Sequence, residues 1–403
     1  MLRIRQSYSS MTCFVWALGW VLYGQAAYSA TYYVAKTGHD ANSCSQAQSE
    51  STPKLSLNSA VRCLKPGDIL YVKTGVYAEW LNSNVPSGTS WSSPVTIAAY
   101  PGNIVTLKPS SSAYRVLEFA GSQQYIQFDG INLDGTSVQY DVVKINAGSG
   151  FNAHHIRIKN AELIGGANSQ IVITSALVAG VIGSNEFINL KVHGGGTSDF
   201  DNAFYIQSPG NLIERCDIYD RAGAGIQIYN GYGGSITSNN VVRYNRIHDF
   251  KRSGGFRGQG IVIAGNNNQA YNNVVYNISQ SAGGGAGIQA YRGSGSKIYN
   301  NTVYKCSVIG ILVEVYAEDT VVKNNISYNN NLNFLNKGSR TLTSNNLSST
   351  DPLFVNASGY DLRLRAGSPA IDAGVNLSSI FVDDFLGQPR PRGAAYDLGA
   401  YEF

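Results

Sequence analysis

The chain has 403 residues, with Lys+Arg 30 against Asp+Glu 26, a formal net charge of +4 and 14% charged residues. A balance so close to neutral argues against nucleic acid as a partner. Surface chemistry must be carried by uncharged groups, and Gly 44 and Tyr 26 in the composition supply them.

The first element is "MLRIRQ" with Arg3 and Arg5, followed by the apolar "MTCFVWALGWVLYG" (11–24), which is short for a membrane span. Small residues follow in "QAAYSA", so a secretory signal over 1–29 is expected, cut near Ser29 or Ala30. The cut removes Arg3, Arg5 and Cys13 and no acidic residue, so the charge becomes +4 − 2 = +2. The product is expected outside the cytoplasm, monomeric and unattached to membrane. In an oxidising compartment Cys44 and Cys63 are expected to pair, while Cys216 and Cys306 are expected as buried thiols.

After an initial strand and a short helical stretch, "LSLNSAVRCL" (55–64), helical apolar periodicity ends. Alternating strands replace it. Early coils are loose: "FDGINLDG" (128–135), "IKNAELIGG" (158–166) and "FINLKVHGG" (187–195). Later ones are regular. Asn245, Asn273 and Asn301 in "RYNRIHDF", "AYNNVVYNIS" and "IYNNTVYKCS" are 28 residues apart, and the frame reaches back 29 residues to Cys216 and forward 24 to Asn325. Each coil also holds a strand opened by glycine: "GIQIYN", "GIVIAG", "GIQAYR", "GILVEV".

A single coil cannot bury an apolar face, whereas stacked coils share one core. Coils of this length with three short strands predict an all-β fold, a single right-handed parallel β-helix. Ile226/Ile228, Ile261/Ile263, Ile288/Ala290 and Ile311/Val313 should point inward. The recurrent Asn is expected to form a ladder inside a bend, hydrogen-bonding the backbone of the next coil. No leucine consensus supports a leucine-rich horseshoe, and a propeller needs longer, four-stranded units.

The ends read as caps: 30–110 with the first coils, then coils over 111–340, then 341–403. The segment 31–80, with its strand, helix and "PGD", resembles the opening of many secreted β-helix proteins. "DPLFVNASGYDLRLRAGSPAIDAG" (351–374) and "YDLGAYEF" (396–403) resemble their C-terminal segment. The resemblance, over nearly the whole mature chain, is to the secreted right-handed parallel β-helix superfamily that includes pectate-lyase-like polysaccharide lyases. It also holds hydrolases, uronate epimerases and phage spikes, so it implies fold more than reaction.

The superfamily implies a substrate groove along one parallel sheet, flanked by the loops leading into it. On the glycine-opened strands, alternation sends Lys144, Tyr205, Gln207, Gln227, Tyr229, Gln289, Tyr291 and Glu314 outward. Rings offer platforms for sugar faces and amides offer donors for hydroxyls. The preceding loops concentrate charge: His193, Asp199, Asp201 and Asn202; Asp220 and Arg221; His248, Asp249, Lys251, Arg252 and Arg257.

An acidic polysaccharide is the expected partner and β-elimination the expected reaction. A lyase must neutralise a carboxylate, abstract the proton beside it and protonate the leaving oxygen. Lys251 between like charges reads as the base, Arg221 and Arg257 as catalytic groups that neutralise the carboxylate, Arg252 as a substrate-binding group, and Tyr205, Tyr229 or His248 as the acid. Asp199, Asp201 and Asn202 have the oxygen character of a Ca²⁺ site, though Asp-x-Asp is also ordinary turn chemistry. Hydrolysis by paired carboxylates among Asp199, Asp201, Asp220 and Asp249 is the rival. C5-epimerisation and plain polysaccharide binding by a surface β-helix complete the alternatives.

Overall fold

The computed structural model describes residues 29–148, 150–166, 170–176, 180–229, 231, 236–250, 258–279 and 285–403. Each regular coil contributes three short strands. One coil runs Leu212–Glu214, Asp217–Tyr219 and Ala224–Ile228; the next runs Val241–Arg243, Arg246–Phe250 and Gln259–Ala264. The first two strands of each coil join a 20-stranded sheet and the third joins an 11-stranded one. Pairing between coils is parallel and in register, as in Ile218↔Ile247 and Ile226↔Ile261. The chain is therefore a parallel β-helix, as its repeat predicts.

The core is a column of stacked apolar rows. Ile226, Ile228, Ile261, Ile263, Ile288 and Val313 are wholly buried, and Ala290 and Ile311 nearly so. Each fully buried isoleucine contributes about 1.5–3 kcal/mol, which no isolated coil could collect. Glycine opens the third strand because the backbone there enters against neighbouring atoms. A Cβ at Gly260 would lie 2.3 Å from the Gly287 carbonyl oxygen, and one at Gly287 2.4 Å from Val303 Cγ1.

The asparagine ladder is present. The backbone N–H of Cys216 donates to Asn245 Oδ1, and Asn245, Asn273, Asn301 and Asn325 each donate to the amide oxygen of the next rung, at 2.9–3.0 Å, ending on Asn346. A second ladder, unforeseen, turns another corner: Asn185, Asn211 and Asn240 donate N–H to the following rung, ending on Asn268. The asparagine doublets in "YNN" (271–273 and 299–301), "KNN" (323–325) and "SNN" (344–346) divide their work. The first residue of each (Asn272, Asn300, Asn324, Asn345) has φ between 46° and 58°, a left-handed conformation asparagine tolerates. Its amide turns outward and donates to the C-terminal tail at Asp383, Asp397, Val375 and Ala373 carbonyls.

Both ends are closed. The helix Leu57–Ala60, capped by Ser56 Oγ accepting the Ser59 N–H, buries Leu57 and Ala60 over the first coil. Cys44 and Cys63 form a disulfide, and Cys216 and Cys306 are buried thiols, both pushed up to about 12 by burial. At the other end, Arg390 is buried with Glu402 at 2.8 Å and donates to the Gly399 carbonyl.

Candidate functional site

The outer face of the 11-stranded sheet carries two side-chain rows. The first is Glu118, Lys144, Ile173, Tyr205, Gln227, Val262, Gln289, Leu312 and Leu335, each opposite the next. The second lies two residues on and includes Gln207, Tyr229 and Ala264. At the next coils the pairing slips: Ala264 faces Arg292, leaving Tyr291 as an extra residue, and Arg292 faces Tyr316. Such bulges re-aim side chains beside binding sites. Here Tyr291 and Glu314 turn into a groove of about 710 Å³, with Asp199, Phe200, Gln227, Tyr229, Gln259, Gln289, Leu312 and Lys337 around them.

The groove floor is an amide relay. Gln259 Nε2 donates to Gln289 Oε1 at 3.4 Å, Gln289 Nε2 donates to Glu314 Oε1 at 3.3 Å, and Lys337 Nζ stands 3.9 Å from Glu314 Oε2. Tyr229 and Tyr291 meet edge to face at 5.8 Å. Burial, with the nearby Tyr229, raises the Tyr205 phenol above its usual value, and a hydrogen bond with Gln207 opposes the shift. The arrangement combines apolar ring faces, amide donors, two carboxylates (Asp199 and Glu314) and one ammonium.

Several expected residues stand elsewhere. Arg221 is 1% exposed. Its guanidinium donates to the backbone carbonyls of Asp201, Gly166, Gly194 and Asn202, so it holds two loops together beneath the surface and is withdrawn as a catalytic group. His248 lies on the outer face of the other sheet, stacked between Tyr219 at 5.2 Å and Tyr276 at 4.9 Å. Its ring nitrogens face Asp249 and Asp217, away from the groove-lining set. His193, Tyr219, His248, Tyr276 and Tyr304 do occupy equivalent places in successive coils. Lys251, Arg252 and Arg257 lie outside the described residues.

The three residues read as calcium ligands do not fit that group. Asp201 Oδ2 accepts the backbone N–H groups of Thr197 and Ser198, which is turn chemistry. Asn202 spends its oxygen on the Ala224 N–H and its nitrogen on Gln227 Oε1. Only Asp199 faces the groove, and among the described residues no group of three or more His, Cys, Asp or Glu could hold a metal ion. Phe200, Val262, Leu312 and Lys337 escaped sequence reasoning. Val262 and Leu312 alternate with Gln227 and Gln289 in their row, Phe200 lies in the turn after Asp199, and Lys337 follows a coil whose repeat is shortened to 24 residues.

The architecture is thus a parallel β-helix with a polar and aromatic groove on one sheet. The family described as "Right handed beta helix region" matches residues 119–284 and 256–377, and the chain belongs to it. No protein of curated function matches in sequence. Among solved structures, pectate lyase Pel9A is similar over 92% of this chain and 96% of its own, at 18% identity and a TM-score of 0.67. XylC, solved in complex with xylose, matches over 93% and 98% at 12% identity and a TM-score of 0.56. A GH136 lacto-N-biosidase from Eubacterium ramulus matches over 79% and 67% at 14% identity and a TM-score of 0.53. These likenesses are of fold.

Proposed function

We infer that this is a secreted carbohydrate-active protein that binds an acidic polysaccharide along the 11-stranded sheet and cleaves it by β-elimination. The observation that carries the reading is the groove itself, where Tyr229 and Tyr291 flank an amide relay ending on Glu314 and Lys337. Rings take sugar faces, amides take hydroxyls, and an ammonium takes a uronate carboxylate. The segment 251–257 leads directly into Gln259, which lines the groove. Lys251 from that segment is the proposed base, with Arg252 and Arg257 neutralising the carboxylate beside the proton removed. The likeness in fold to a pectate lyase and the Cys44–Cys63 bond, suited to an oxidising compartment, agree with this reading.

Hydrolysis is the second reading, favoured by Asp199 and Glu314 lining one groove. One assay separates the two. The protein is incubated with pectate, alginate, glucuronan, hyaluronan and chondroitin, with Ca²⁺ and with chelator, while ultraviolet absorbance and reducing ends are followed together. Elimination raises both; hydrolysis raises reducing ends alone. Loss of the absorbance signal in Lys251→Ala and Arg257→Ala, with folding intact, is expected. Full lyase activity in both variants would remove these residues from the mechanism.

A further inference from the structure

The groove sheet does not end at the cavity. Towards the N-terminal end, the loops leading into Leu81–Asn82, Leu117–Phe119 and Val143–Gly148 each carry one aromatic residue: Trp80, Tyr114 and Tyr140. These strands are successive rungs of the same sheet. The rings touch in series, Trp80 to Tyr114 at 5.7 Å and Tyr114 to Tyr140 at 5.6 Å, yet Tyr114 is 48% and Tyr140 51% exposed. Tyr114 and Tyr140 stay half in water beside the partly buried Trp80, and the three contiguous rings form a platform, whereas structural tyrosines of this chain, such as Tyr244 and Tyr271, are covered by the tail.

The platform is held rigidly. The Tyr140 N–H donates to the Tyr114 carbonyl at 2.9 Å, and the Leu81 N–H donates to the Val116 carbonyl at 3.1 Å. Before Trp80, Glu79 clamps the helix by accepting the N–H groups of Leu57 and Asn58. Beneath the rings Arg115 lies 5.5 Å from the Tyr140 ring centroid and is paired with Glu118 at 3.0 Å and Asp141 at 3.4 Å, with Lys144 opposite Glu118 on the next strand. Two cations and two anions leave the platform neutral overall. It offers ring faces first and charge-fixed donors second, the chemistry that recognises a pyranose face and its hydroxyls.

We propose that Trp80, Tyr114 and Tyr140, with Arg115 below them, form a distal sugar-binding subsite that takes the far part of the same polysaccharide chain held in the groove. This deepens the reading of the groove and rests on it for the identity of the ligand. Strands lie about 4.8 Å apart, so the five steps between the six rungs from Leu117–Phe119 to Gln259–Ala264 span roughly 24 Å. A sugar chain that advances by about one strand spacing per ring covers both places with about six rings. Ile173 and Tyr205 lie on the rungs between them. The subsite makes affinity depend on chain length beyond what the groove alone requires.

The test is calorimetric titration of wild type, Tyr114→Ala/Tyr140→Ala and Gln289→Ala with oligogalacturonates and oligoalginates of about three and about nine rings. Trp80 fluorescence, read as the difference from Trp80→Phe, is followed in parallel. Both tyrosines are half exposed, so the double variant should fold, and circular dichroism checks it. The subsite predicts that the double variant loses about tenfold in affinity for the long chains and nothing for the short ones, and that only long chains change the Trp80 signal. Unchanged long-chain affinity in the double variant overturns the subsite and leaves the groove standing. A loss in the double variant with none in Gln289→Ala keeps the subsite and overturns the groove. No binding of any chain to wild type overturns both.

Discussion

Replacing Asn273 by alanine removes the second rung of the five-asparagine column that runs from Asn245 to Asn346. Asn273 Oδ1 accepts the backbone N–H and the Nδ2 of Asn245, both at 3.0 Å, while its own Nδ2 donates to the Val242 carbonyl and to Asn301 Oδ1, both at 2.9 Å. The side chain is wholly buried, so no water replaces it. Alanine leaves the Asn245 N–H without an acceptor in the core, worth about 1–3 kcal/mol, and deletes the bond to Val242, worth about 1 kcal/mol. With the small void the expected loss is about 4 kcal/mol of unfolding free energy. Asn273→Asp should do at least as much harm, because it sets an oxygen against the Val242 carbonyl and Asn301 Oδ1 and buries a charge. Gln269→Ala, on the solvent side of the adjacent strand, is the control and should stay within about 0.5 kcal/mol. Guanidinium titration followed by circular dichroism reads all three. If Asn273→Ala falls within about 1 kcal/mol of the control, the ladder is not what holds the coils in register.

Arg221→Met should cost about 3 kcal/mol or more, since four backbone carbonyls lose a charged donor; scanning calorimetry reads the cost, and the folded fraction should keep its specific activity on whichever polysaccharide is cleaved. Cys44→Ser/Cys63→Ser opens a link with a sequence separation of 19, which lowers stability of the N-terminal cap by about 3 kcal/mol, visible as faster proteolysis between 30 and 64. Burial, with the neighbouring His155, holds the His154 imidazole below its ordinary value, and burial does the same for His155 against the opposing charge of Glu186. Their folded-state affinity for protons is thus below that of the unfolded chain, so stability is full above about pH 6.5 and declines as pH falls from there. His154→Asn should flatten the difference in melting temperature between neutral and mildly acidic solution; an unchanged difference would locate the pH dependence elsewhere.

Much of the fold was legible because a solenoid writes its period into the chain. Asn245, Asn273 and Asn301 recur at the coil length, and the inward isoleucines alternate with outward Gln and Tyr. The second ladder was equally legible, as Asn211, Asn240 and Asn268 are 29 and 28 residues apart, but it was masked by the denser "YNN" phrases. The site was harder. A charged residue in a loop reads the same whether its side chain faces a groove or, like Arg221, gathers carbonyls inside. His248 follows its coil's inward residue in the strand order, but a corner separates its sheet from the groove. The Trp80, Tyr114 and Tyr140 platform is invisible to periodicity, because its members are 34 and 26 residues apart in coils of unequal length.

The outward amides of the asparagine doublets have a mechanical consequence. A stack of coils that touch only their neighbours can unzip from an end, one coil at a time, each step exposing fresh strand edges for pairing with another chain. The tail 373–399 runs across the stack and is gripped at Asn272, Asn300, Asn324 and Asn345 in successive coils, with Tyr244 hydrogen-bonded to Asp383 one coil earlier. Loosening the last coil therefore strains bonds four coils away. The strap trades gradual fraying for a single larger barrier, so the C-terminal half should resist pulling, proteases and edge-to-edge polymerisation as one block.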